Sequence, residues 1–285
     1  MTILRVLRTA KATLTRTFYL DEVATGASGS VAVTVTRLDG TVVESGSAVG
    51  PDVTNSYGYT FGGRDVLDEL IVTWAATVGG DAIVLDQDRM EVVGGFYFGL
   101  AEGRAVDPAL SNTAKYPTAD LIERRNETED EAERICGQAF VPRFARESTL
   151  GAGRTWLALK WPLVRAVRAV TVGSTVFGSS ELAALTVSES GALTLPREWP
   201  SGTKVVIEYE HGWDRPPIEV ARAARLRFKS LVLEGRSALP DRAERVVTQT
   251  DSGTTVYGSP SVDKTGIPAV DAVYARYPSP RPGFG

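Results

Sequence analysis

The hydrophobic period changes near residue 97, and this change constrains the fold more than any other feature. Before it, apolar residues alternate with polar ones. In "SVAVTVTRLDGTVVESG", Val31, Val33 and Val35 share one face, with Thr34 and Thr36 on the other. A period of two places these residues on strands. Asp39-Gly40 supplies a hairpin turn, and Gly79-Gly80 a second one inside "ELIVTWAATVGGDAIVLDQDRMEVV". "KATLTRTFYL" sets Leu14, Phe18 and Leu20 against threonines. Short strands at regular turns predict an immunoglobulin-like β-sandwich over residues 1–97, with Trp74 in its core.

After residue 97 the pattern becomes mixed. "GGFYFGLAEGRAVDPALSN" is rich in Gly and polar residues and reads as a linker over 98–117. "YPTADLIERRNETEDEAERICGQAF" predicts a helix capped by Thr118 and ended by Gly137. Its apolar stripe, Leu121, Arg125, Thr128, Ala132 and Ile135, is narrow. Glu127, Glu129, Asp130, Glu131 and Glu133 read as a solvated face, or alternatively as a face that meets a charged neighbour. Strands are expected in "RTWLALKWPLVRAVRAVTVGSTVF", "ALTVSESGALTLP" and "TKVVIEYEHGW".

A second helix begins near Pro217, with Val220, Ala221, Ala224, Phe228 and Leu231 inward and Arg222, Arg225 and Lys229 outward. "ERVVTQTDSGTTVYGSP" reads as a polar hairpin. "TGIPAVDAVYARY" is a final helix, too short to be stable unless docked, with Ile267, Val270, Tyr274 and Tyr277 on one side. Residues 279–285 form a tail. The predicted class is thus multidomain α+β: a β-sandwich, then a mainly helical domain over 118–278 with a small β-sheet insertion.

The single histidine, His211, sits among Glu208, Glu210 and Asp214. Alternation sends both glutamates to the opposite side of the strand, so the group fails as a metal site. His211, Gly212, Trp213, Asp214, Pro216 and Pro217 read instead as a strand-to-helix corner. One cysteine, Cys136, excludes an intrachain disulfide and a Cys-based zinc site, and it is read as a small buried hydrophobe. Asp86, Asp88 and Glu91 lack the spacing of a calcium loop. "GAGRTW" matches neither a dinucleotide loop nor a P-loop, and no nucleophile elbow is present. No catalytic residue, metal or cofactor is expected. Residues 1–97 carry 7 basic and 12 acidic side chains; 98–285 carry 24 and 23. Neither segment has the positive field that holds nucleic acid unaided. No apolar run reaches membrane-spanning length.

The order helix, strands, corner, helix and final helix resembles the head–tail connector (adaptor) proteins of long-tailed double-stranded DNA phages. Three stretches carry the resemblance: "YPTADLIERRNETEDEAERICGQAF", "WPLVRAVRAVTV" and "YEHGW...PPIEVARAA". It covers roughly residues 113–278 and leaves the β-rich N-terminus outside. It implies a virion structural protein, assembled in the host cytoplasm and located in the neck. The expected form is a homo-oligomeric ring, typically a dodecamer, between the portal protein and the next neck or tail-completion protein. Double-stranded DNA would pass through the lumen without sequence-specific binding. In such proteins the C-terminal segment reaches onto the portal. The family supplies no matched contact residues. The candidates in this chain are Tyr274, Arg276, Tyr277, Arg281 and Phe284, with Arg222, Arg225 and Lys229 facing the portal or a neighbouring subunit. Alternative readings are a tail-completion protein, a hydrolase built on dispersed carboxylates, and a carbohydrate- or surface-binding module. The module would use Tyr57, Tyr59, Phe61, Trp74, Phe96, Tyr97 and Phe98, though core packing is the favoured reading of these aromatics.

Overall fold

A computed structural model describes residues 3–20, 22–233 and 264–280, with the side chains of Leu20 and of residues 81–86 left out. The expected polar hairpin of 244–260 and the tail residues 281–285 lie outside the described residues. The chain forms two compact units, Met1–Gly94 and Gly95–Gly285.

The first unit is all β. Its strands are β1 (Ile3–Leu7), β2 (Ala12–Thr17), β3 (Tyr19–Leu20), β4 (Val23–Ala24), β5 (Ala32–Arg37), β6 (Val42–Ser47), β7 (Ser56–Phe61), β8 (Asp68–Val78) and β9 (Asp81–Val93). Five form one sheet in the order β1-β9-β8-β5-β6, in which β1 runs parallel to β9. β2 pairs with β7, and β3 with β4. Alternation decides which side chains enter the core: Val33, Val35, Leu70, Val72 and Trp74 from the sheet, with Val31 just before β5, meet Leu14, Tyr57, Tyr59 and Phe61 from the β2–β7 pair. Gly79 and Gly80, at φ 62° and 93°, make the left-handed turn that joins β8 to β9. The layers therefore hold five and two strands, where a constant-type immunoglobulin sandwich holds four and three.

The second unit begins earlier than the sequence suggests. Residues 98–117 are not a linker. They form α1 (Leu100–Arg104) and a 3-10 turn (Pro108–Ser111), and they bury Phe98, Leu110 and Tyr116. Arg104 fixes the passage by donating to the Leu110 and Tyr116 carbonyls and to Thr118 Oγ1. A run rich in Gly and polar residues looked unstructured because this organising guanidinium is invisible to composition.

The expected long helix is α2 (Thr118–Cys136). Pro117, not Thr118, occupies the N-cap, and Gly137 ends the helix in the left-handed conformation at φ 64°. Next come β10 (Arg143–Leu150), β11 (Trp156–Ala158), β12 (Val164–Val172), β13 (Thr175–Val176), α3 (Ser179–Ala183), β14 (Thr186–Val187), β15 (Ala192–Thr194) and β16 (Lys204–His211). The unit closes with α4 (Ile218–Leu233) and α5 (Pro268–Tyr274). An antiparallel sheet runs β10-β16-β12-β13, and a smaller one runs β11-β15-β14. The β content is thus a full layer with its own core, built on Val170, Trp199, Val205, Ile207 and Tyr209, rather than a small insertion. α2, α4 and α5 share a second core containing Leu121, Cys136, Val220, Ala224, Phe228, Val270 and Tyr274.

A buried ion network joins these two layers. Arg143, the first residue of β10, donates to Glu129 at 2.7 Å and to Glu133 at 2.9 Å. Its side chain is 4% exposed, against 0% for Glu129 and 9% for Glu133. Glu129 also accepts the Tyr97 backbone N–H at 2.8 Å. Nearby, Arg227 of α4, buried and absent from the outward set, pairs with Glu131. The acidic set of α2 therefore divides: Glu127 and Asp130 stay exposed, as on a solvated face, and the other three do not. Glu129, Glu131 and Glu133 turn toward arginines brought in from β10 and α4, which corresponds to the alternative of a charged neighbour.

Removing one partner of a buried pair leaves an uncompensated charge, at a cost of about 3–5 kcal/mol. Arg143→Met is expected to destabilise the chain by roughly that amount in chemical denaturation. Combining it with Glu129→Gln and Glu133→Gln should recover a large part of the loss. An Arg143→Met variant as stable as the parent would contradict this assignment.

Candidate functional site

The strand-to-helix corner and the C-terminal segment, predicted separately, meet in one place. β16 delivers His211 at its last position, and burial alternates along the strand as expected. Val205, Ile207, Tyr209 and His211 point inward, whereas Glu208 pairs with Arg146 and Glu210 with Arg168 on the other face. Asp214 pairs with Arg165 at 2.6 Å.

His211 lies opposite Arg143 in the β10–β16 register and is 2% exposed. Its ring stacks on Trp161 with centroids 5.1 Å apart and planes 5° apart. Burial first, then the charges of Arg143 and Lys160, lower its pKa to about 3. This is a packed neutral imidazole, and protonating it would place a second cation beside the buried network. Among the described residues, no group of three or more His, Cys, Asp or Glu side chains could hold a metal.

Gly212 makes the turn at φ 97°. A β-carbon there would stand 2.4 Å from the Val141 carbonyl oxygen and 3.1 Å from Ala139 Cβ. The Trp213 backbone N–H then donates to the Ala139 carbonyl, and its indole Nε1–H donates to Gln138 Oε1 at 3.0 Å. Gln138 uses its other end on the C-terminal segment: Nε2 donates to the Tyr277 carbonyl at 2.9 Å. Tyr277 packs edge-on against Phe140 and Trp213, with centroids 5.6 and 6.3 Å away. Its hydroxyl donates to Glu219 Oε1 at 2.6 Å, and Arg276 pairs with Glu219 at 2.8 Å. One amide and one carboxylate thus bind the segment after α5 to the corner and to the first turn of α4.

The candidate contact residues separate by environment. Arg276 is exposed and Tyr277 half-buried at this junction. Tyr274 is 2% exposed and belongs to the core, so it supports the surface rather than forming it. Arg222 is exposed on α4. Arg225 reaches Glu102 at 3.6 Å and Lys229 reaches Asp107 at 3.0 Å. Arg281 and Phe284 lie outside the described residues. Gln138 was missed because its sequence neighbourhood, a helix end, gives no sign of a partner at 277. Cys136 is buried beneath α5, and that burial pushes its thiol up to about 12.

The rival sites resolve into structure. Tyr57, Tyr59, Phe61 and Trp74 fill the first core, and Tyr97 and Phe98 the helical core. Phe96 lies under the Arg125 guanidinium. Six of these seven are buried and Phe96 is half-buried. Asp88 accepts from Arg16 and from the Trp74 indole, and Glu91 accepts from Arg5. Among the described residues, no helix is long and apolar enough to cross a membrane.

No family model matches the chain, and no curated protein matches it. Among solved structures it is similar to a chain from the neck of an empty GTA particle computed with C6 symmetry. That likeness has a TM-score of 0.38 and 15% identity, over 59% of this chain and 81% of that chain. A likeness of this depth shows no function.

Two outcomes test the corner. Gly212→Ala must either shift the Val141 carbonyl or abandon a left-handed turn, and should destabilise by more than about 1 kcal/mol. Because the His211 pKa is depressed in the fold, the unfolded chain binds the extra proton between about pH 6.5 and about 3. His211 therefore contributes stability that is full above pH 6.5 and is lost as pH falls. Its slope is about 1.4 kcal/mol per pH unit. His211→Phe should flatten that part of the stability–pH curve in denaturant titrations; an unchanged slope would contradict a neutral buried imidazole.

Proposed function

We propose that this chain is a head–tail adaptor: a non-enzymatic virion protein forming a ring between the portal and the next neck protein, with DNA passing through the lumen. One observation carries the reading. The three stretches that resemble adaptors are distant in sequence, yet they pack in one unit, and two of them hold the C-terminal segment. "ICGQAF" supplies Gln138 and Phe140, and "EHGW" supplies Trp213. The segment that reaches the portal in the resembling family is here anchored on the strand-to-helix corner by hydrogen bonds and ring packing. An anchor of this kind fixes where a terminal extension emerges, which lowers the entropy cost of docking it on a partner. The reading includes a closed ring, typically twelve copies, and assigns ring formation to the second unit.

Light scattering on the purified full chain, alone and with the portal protein, tests this. A closed oligomer, or a stoichiometric portal complex lost on Trp213→Ala with Tyr277→Ala, is the expected result. A chain that stays monomeric in both mixtures would overturn it.

A further inference from the structure

Among the described residues, α4 carries an exposed strip. Ile218 is 80% exposed and Leu226 43%, with exposed Arg222 between them at steps of four. These positions fall on one face over about 12 Å of helix. The other two outward cations, Arg225 and Lys229, turn sideways to Glu102 and Asp107. Beyond Leu226 the strip runs into an apolar groove of about 300 Å³, lined by Leu233, Ile267 and Pro268.

α2 presents the complement. Asp120, Glu123, Glu127 and Asp130 are all exposed, at steps of three, four and three, over about 15 Å. Exposed Arg124 and Arg134 flank this row, and Arg124 pairs with Glu127. Four carboxylates against two guanidiniums leave the face acidic.

We infer that the α4 strip, Ile218, Arg222 and Leu226, docks on the α2 acidic row of a second copy of this chain. Self-pairing of either strip is disfavoured: α4 directly facing α4 opposes two Arg222 side chains, and α2 facing α2 opposes carboxylates. The complementary pairing uses two different surfaces. A contact of that kind repeats head to tail and closes into a ring when its rotation allows. Arg222 supplies charge complementarity and register, while Ile218 and Leu226 supply the apolar area. This inference rests on the ring reading above and names the contact that would build it.

Native mass spectrometry and light scattering on the full chain test it, with thermal melts checking that each variant folds. Arg222→Glu and Glu127→Arg should each raise the concentration needed for assembly by about tenfold or more. The two combined in one chain should restore assembly, because the pairing is re-formed with reversed sign. Ile218→Asp should disrupt assembly without rescue. If the parent assembles and Arg222→Glu, Glu127→Arg and Ile218→Asp assemble equally well, the inference is overturned while the ring reading stands. A parent that is monomeric at every concentration, alone and with the portal protein, overturns both.

Discussion

The second unit depends on Arg143 held between Glu129 and Glu133. A guanidinium at the start of β10 reaches two carboxylates one helical turn apart on α2, and all three are out of water. Desolvating three charges is costly, and their mutual attraction offsets that cost only when the geometry is close and the remaining polar atoms are bonded. Here the Tyr97 backbone N–H completes Glu129, and the Tyr97 hydroxyl lies 3.4 Å from Glu133. The network ties the start of β10 to α2 and to the backbone at Tyr97. The corner follows from it: His211 is paired across the ladder with Arg143, and the chain leaves β16 directly beside the network.

This arrangement explains why the lone histidine is not a reactive group. A ring stacked on Trp161 and facing Arg143 and Lys160 is kept neutral, and its neighbouring glutamates serve other arginines. What the corner does is mechanical. Gly212 lets the backbone pass against the Val141 carbonyl, and Trp213 then reaches Gln138, which holds the chain at Tyr277.

Much of the fold was legible where periodicity alone decides burial. Val31, Val33 and Val35, the inward face of β16, and Val220, Ala224 and Phe228 all fall where alternation or helical spacing puts them. Misreadings cluster where a distant charge changes the meaning of a local pattern. Glu129 and Glu133 look solvated until Arg143 is placed, 14 and 10 residues away. Residues 98–117 look like a linker until Arg104 collects their carbonyls. The strand Arg143–Leu150 shows no apolar alternation, since Phe144 and Ala145 are adjacent and Arg143, Arg146 and Glu147 break the pattern; Arg143 finds its partners on α2 and Arg146 finds Glu208 on β16. The site itself was half legible: each part could be named, but the Gln138 bridge between them joins residues 75 and 139 positions apart.

The central claim is that this unit builds a ring whose corner holds the C-terminal segment toward the portal. Cryo-electron microscopy of the full chain bound to the portal protein tests it most directly. The account predicts a closed ring of identical copies, with residues 264–280 of each copy on the portal side of the Gly212–Trp213 corner. A monomer or open chain of copies bound to the portal, or a closed ring with those residues turned away from it, would contradict the account.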